Sequence, residues 1–92
     1  MKTAVITPVH GRHDHLQRQE QALAALDPPP QYRVVISMAD PQIPALVGPG
    51  TTVVVQPAGD AGLPLSAARN RGALVARRAG AELLIFLDVD CL

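Results

Sequence analysis

Apolar runs and amphipathic stretches alternate along the chain. Residues 4–9 form a short, mostly apolar run rich in β-branched side chains, closed by Pro8 and Gly11. That is the pattern of a strand buried on both faces. Pro8 lacks an amide donor, which puts it at the strand's end. Residues 10–15 are polar and contain Gly11, as a strand-to-helix loop does. Across residues 16–26, Leu16, Ala22, Leu23 and Leu26 recur at helical spacing, with Gln17, Arg18 and Gln21 on the other face. Asp14 is the expected N-cap, with Gln17 three residues on as in a capping box. The run Asp27-Pro28-Pro29-Pro30 ends the helix, because proline neither continues the ladder nor lets its predecessor stay helical.

Residues 32–37 (YRVVIS) give the second strand, with Met38, Ala39 and Asp40 at its carboxyl end. Three prolines and two glycines in residues 41–50 leave room for one short helical turn around residues 43–47. Residues 51–56 (TTVVVQ) are the third strand, and residues 57–64 a glycine-containing loop. Ser66 is the expected N-cap of a second long helix. On that helix Ala68, Gly72, Val75 and Ala79 share one face, a stripe of small residues suited to close packing on a sheet. Arg77 and Arg78 suit the negative end of the helix dipole, and Gly80 is the expected stop. Residues 83–87 (LLIFL) then predict a buried strand. The order β-α-β-β-α-β predicts an α/β fold, a parallel-sheet Rossmann-like half-domain with strand order 3-2-1-4.

Composition narrows the function classes. Apolar residues make up 48% of the chain, yet Tyr32 and Phe86 are its only aromatics, so Val, Ile, Leu and Ala must build the core. Lys plus Arg and Asp plus Glu each count 8, a balance that argues against a nucleic-acid partner. The single Cys91 excludes an intramolecular disulfide and fits a reducing compartment; with no basic or histidine neighbour in sequence it reads as packed rather than reactive. No stretch has the length of a membrane span or the pattern of a signal peptide. The expectation is a cytoplasmic protein, with peripheral membrane association left open. The chain stops two residues after Asp90, where a functional loop should follow. Residues 1–92 are therefore expected to be the first part of a larger domain, marginally stable alone. Its fourth strand would keep a free apolar edge, a route to self-association.

The candidate chemistry lies where strand four ends. Five apolar residues are followed by Asp88-Val89-Asp90, two carboxylates that repel unless a cation or protons intervene. Mg²⁺ or Mn²⁺ shared with substrate phosphates is the natural partner of such a pair. Open α/β sheets bind ligands outside the carboxyl ends of their strands, at the point where strand order reverses. Order 3-2-1-4 would bring Pro8, Val9 and His10, then Asp40, then Asp88 and Asp90 into that one crevice. The spacing of His10, His13 and His15 matches no recognised zinc pattern, and loop or helix surface is the simpler reading.

Two segments resemble a known family. ITPVHGRHDHL at residues 6–16 is similar to the strand-one signature I-I-P-x-Y-N-R…L of family 2 glycosyltransferases, which have the GT-A fold. SAARNRGALVARRAGAELLIFLDVDCL at residues 66–92 is similar to that family's A-R-N-x-G…L-D-x-D segment. VVISMADP at residues 34–41 stands where the family has a strand ending in Asp, and His10 stands where it commonly has Tyr. The resemblance implies metal-assisted transfer of a sugar, with inversion, from a nucleoside diphosphate sugar, UDP-sugar foremost, to an acceptor hydroxyl. By it Pro8, Val9 and His10 would line the nucleoside pocket and Asp40 would approach the base. Arg69 and Asn70 would shape the donor site. Asp88 would sit near the ribose or a metal-bound water, and Asp90 would ligate Mn²⁺ or Mg²⁺. The catalytic base is expected beyond Leu92. A sugar-phosphate nucleotidyltransferase would need a glycine-rich, cationic loop after strand one; HGRHDH, with one Gly and no Lys, speaks against it. A non-catalytic interaction module is the remaining alternative.

Overall fold

The computed structural model describes residues 1–59, 62 and 64–89. Its elements in chain order are β1 (Thr3–Val9), α1 (His13–Ala24), β2 (Tyr32–Met38), a 3₁₀ turn (Ile43–Leu46), β3 (Thr51–Gln56), α2 (Leu65–Ala79) and β4 (Leu83–Phe86). The strands form one parallel sheet in the order β3-β2-β1-β4. This is the Rossmann-like half-domain that the alternation of strands and helices predicts.

Side chains alternate across each strand, and the two sheet faces bury different partners. Ala4, Ile6, Val34, Ile36, Met38 and Val54 turn toward α2, where Ala68 and Ala76 meet them. Val9 and Val35 turn the other way and pack with Leu16 of α1 and Ile43 of the 3₁₀ turn. The buried residues of α2 are Ala68, Gly72 and Ala76, with Val75 half-buried, while Ala79, expected on the same face, is exposed. The small side chains let that helix lie close to the sheet. A Cβ on Gly72 would fall 2.6 Å from Cγ2 of Ile6 and 3.1 Å from Cδ1 of Ile36. Gly80 ends α2 at φ 107°. Its amide donates to Arg77 and that of Ala81 to Ala76, the two bonds of a Schellman stop.

The α1 face of the sheet holds a charge where alternation alone would put an apolar residue. Arg33, the second residue of β2, is 6% exposed. Its Nε donates to Glu20 at 2.6 Å, Nη1 to Thr7 at 2.7 Å, and Nη2 to Gln19 at 2.6 Å. The second oxygen of Glu20 accepts from Thr51 of β3 at 2.6 Å. One guanidinium thus draws together β1, β2, β3 and α1. Burial pulls the Arg33 pKa below its ordinary value, while the hydrogen bond and charge of Glu20 oppose that pull.

Several local expectations are corrected. Helix α1 begins at His13 behind Arg12, which takes a left-handed conformation (φ 52°), and no side chain caps it. Asp14 lies inside the first turn rather than at the cap. The loop starts the helix through two successive left-handed residues, Gly11 and Arg12, so a capping box has no place to form. Ser66 is likewise inside α2, whose N-cap is Pro64 with no side-chain bond. The inner face of α1 is Leu16, Gln19 and half-buried Glu20 and Leu23, while Ala22 and Leu26 are exposed. Polar residues that serve Arg33 occupy the inward stripe, and apolar periodicity passes over them. Strand β4 is less buried than its composition suggests. It is an edge strand, and Leu83, Ile85 and Phe86 are 44%, 39% and 44% exposed.

Two substitutions test this packing. Gly72→Ala gains helix propensity of about 1 kcal/mol but overpacks against fully buried Ile6, at a cost of about 1–3 kcal/mol. A net loss is expected, read as a lower midpoint in urea unfolding followed by circular dichroism. Glu20→Gln leaves the Arg33 charge without its counterion and should lower the unfolding free energy by about 3–5 kcal/mol. The double variant Glu20→Leu/Arg33→Met, which removes both charges, should recover part of that loss in the same assay.

Candidate functional site

The carboxyl ends of β2, β1 and β4 lie side by side, with α1 leaving on one face of the sheet and α2 packed on the other. Strand order reverses at β1, so the crevice outside these ends is the position at which such sheets bind ligands. Among the described residues, the two non-glycine residues with positive φ, Arg12 at 52° and Ala39 at 50°, stand here, after β1 and β2 respectively. A non-glycine residue held left-handed costs on the order of 1–3 kcal/mol and persists where surrounding bonds enforce it. Those bonds are visible. The amide of Ala39 donates to Gln56 of β3 at 2.9 Å.

Asp40 gathers three bonds at these strand ends. Its Oδ2 accepts from the Gly11 amide at 2.9 Å and from Nε2 of His13 at 2.8 Å. Its Oδ1 accepts from the Gln42 amide at 3.1 Å, an Asx turn. One side chain at the end of β2 therefore clasps the loop that follows β1. A carboxylate offers about four acceptor positions, and three are filled. The hydrogen bond from His13, then those from the Gly11 and Gln42 amides, hold the Asp40 carboxyl below the usual carboxylate range, against burial that acts the other way. A second tie runs in parallel: Nδ1 of His10 lies 2.6 Å from the Met38 carbonyl. A carbonyl only accepts, so Nδ1 carries the proton. In the neutral ring that leaves Nε2 of exposed His10 as an acceptor.

Asp88 follows β4, with an exposed side chain. Its backbone carbonyl accepts from Nε2 of Gln19 at 2.7 Å, and the Leu87 amide donates to Ile6 at 3.0 Å. Val89, 8% exposed, packs with Val9 and Leu16, joining the ends of β1 and β4. Of the residues expected at the site, His10, Asp40 and Asp88 thus share these adjoining strand ends. Pro8 is buried within β1 in register with Ile36, and the Val9 side chain belongs to the core. Arg69 and Asn70 are exposed on the second turn of α2. Among the described residues, no hydrogen bond or ion pair joins either of them to Asp40 or Asp88. Their neighbour Arg71 donates to the Val55 carbonyl at 2.7 Å and to Gln56 at 3.3 Å, tying α2 to the end of β3. Asp90 and Cys91 lie outside the described residues.

Among the described residues no group of three or more His, Cys, Asp and Glu side chains is arranged to hold a metal ion. Of the two carboxylates expected to hold a cation, Asp88 is the one among the described residues, and its side chain is exposed.

The residues that sequence reasoning passed over are His13, which secures Asp40, and the set Thr7, Gln19, Glu20 and Arg33. A signal for the second was present. Arg33 directly precedes the apolar run Val34-Val35-Ile36, and a charge there needs an opposite charge on the facing helix, which Glu20 supplies four residues after Leu16. Comparison of the chain with protein-family models, with curated proteins and with solved structures finds no match in any of the three.

The clasp has a pH signature. An unfolded aspartate titrates near about 3.9, and folded Asp40 titrates lower. The clasp's contribution is therefore complete above that pH and is lost as the pH falls through the folded value. Asp40→Asn should destabilise the chain at neutral pH. The gap between variant and parent should close in urea titrations taken from pH 5 down to pH 2.

Proposed function

We propose that this chain is the donor-binding part of a metal-assisted glycosyltransferase resembling family 2, acting on a nucleoside diphosphate sugar, UDP-sugar foremost. One observation carries the reading. Two carboxylate-bearing strand ends, Asp40 after β2 and Asp88 after β4, are each fixed to the β1–α1 unit at the reversal point of the sheet. Asp40 is held through its carboxylate and Asp88 through its backbone carbonyl, and the His10 ring, following β1, meets the Met38 carbonyl at the end of β2.

In this reading Pro8, Val9 and His10 form the nucleoside wall, mainly through backbone and ring. Asp40 keeps one acceptor position for a base donor. Arg69 and Asn70, exposed on the second turn of α2, face the anionic donor. Asp88 and Asp90 hold Mn²⁺ or Mg²⁺ together with the diphosphate. The cation, when bound, supplies Lewis-acid stabilisation of the departing diphosphate. The residues of this chain bind and orient the donor, and none of them is assigned the base that activates the acceptor hydroxyl.

Calorimetric titration with UDP, with and without Mn²⁺, tests the reading. Binding should require the cation, and Asp88→Ala and Asp90→Ala should each weaken it by about tenfold or more, about 1.4 kcal/mol. Equal binding by parent and both variants would remove the metal role from this pair.

A further inference from the structure

We propose that Gln19 is a positioning residue that sets the Asp88 turn through a directed chain of buried hydrogen bonds. What that turn then holds, a cation and diphosphate, rests on the function proposed above. Gln19 is 1% exposed on the inner face of α1, where leucine would satisfy the apolar stripe. Both ends of its amide are used. Arg33 can only donate, and it donates to both Thr7 and Gln19. The Thr7 hydroxyl, having accepted from Arg33, donates in turn to Oε1 of Gln19 at 2.9 Å. Two donors at Oε1 fix which way the amide points. Nε2 is therefore aimed at the end of β4, where the acceptor it meets is the Asp88 carbonyl at 2.7 Å. The guanidinium is itself held by Glu20, so the direction of every bond in the chain follows from one fixed cation.

The strand end needs such a tie. β4 pairs with β1 over four residues at the sheet edge, and Leu83, Ile85 and Phe86 are 44%, 39% and 44% exposed. A strand of that kind frays at its end unless something beyond the ladder holds it. Gln19 grips the backbone of Asp88 and leaves the carboxylate exposed. Outer-shell partners that orient ligands in this way typically change metal affinity by about 10–100-fold when replaced.

Gln19→Glu is the informative variant. It keeps an acceptor for Arg33 and Thr7 but turns the donor facing Asp88 into a second acceptor. Two readouts apply. Exchange of the Leu87 amide, bonded to Ile6, should accelerate relative to that of Leu83, bonded to Lys2 at the other end of the same strand. Mn²⁺-dependent UDP affinity should fall about tenfold or more. Val54→Ala, a core truncation on the α2 side, should lower stability while leaving both readouts at the parental value.

A measurement on the unaltered chain removes dependence on the variant's folding. The side-chain amide protons of Gln19 should exchange far more slowly than those of Gln17 and Gln21, exposed on the same helix. Equal exchange of the three, or an unchanged ratio of Leu87 to Leu83 in Gln19→Glu, would overturn the positioning role. Altered exchange in a chain that never binds UDP would uphold the positioning role and overturn the proposed function instead. Loss of affinity in Val54→Ala equal to that in Gln19→Glu would reduce Gln19 to a contributor to stability.

Discussion

A single buried cation constrains this domain more than any apolar contact does. Arg33 stands in one of the two interior strands of the sheet, facing a helix, with little access to water. Removing a guanidinium from water is costly unless nearly every donor finds a partner. Meeting that demand fixes the register of α1 against β1 and β2 through Gln19, Glu20 and Thr7, and it reaches β3 through Thr51. Apolar packing would tolerate a slide of α1 by a fraction of a turn. Hydrogen bonds of 2.6–2.9 Å that join Gln19 and Glu20 to Thr7, Arg33 and Thr51 do not.

The opposite face works by another principle. There α2 lies against the sheet because Gly72 removes the side chain that Ile6 and Ile36 would strike. One face is thus specified by polar direction and the other by shape. The crevice at the strand ends depends on both. Asp40 and Asp88 descend from strands whose positions the two faces set, and short loops then secure them.

Much of this architecture could be read from the sequence, for local reasons. The strand at residues 51–56 has the predicted limits, and those near residues 4–9 and 32–37 differ by one residue. β-branched runs between prolines and glycines leave little alternative. Gly80 marks the end of α2 because no other residue type accepts its φ so readily. The helix starts were misjudged because Asp14 and Ser66 are good caps in isolation, whereas the loops before them set the actual boundary. The strand end carrying Asp88 and the position of Asp40 were also legible, from the apolar runs before them and the sheet order that sets those runs side by side. Their partners were not. His13 and Gln19 are 27 and 69 residues away from Asp40 and Asp88, and no periodicity encodes contacts at such range. The burial of β4 was overestimated for a related reason: an apolar run states a preference but not how many neighbours the sheet provides.

The pairing of Thr3 with Leu83 joins almost the two ends of the described chain. Contacts so distant in sequence form after their loop-closure entropy has been met, and parallel sheets rich in them assemble slowly. β2 and β3 can dock on one side of β1 as soon as their crossovers exist. The other side of β1 must wait for residues 83–86. During synthesis the first strand consequently waits with one flank open, a flank reserved for the segment that leads to Asp88.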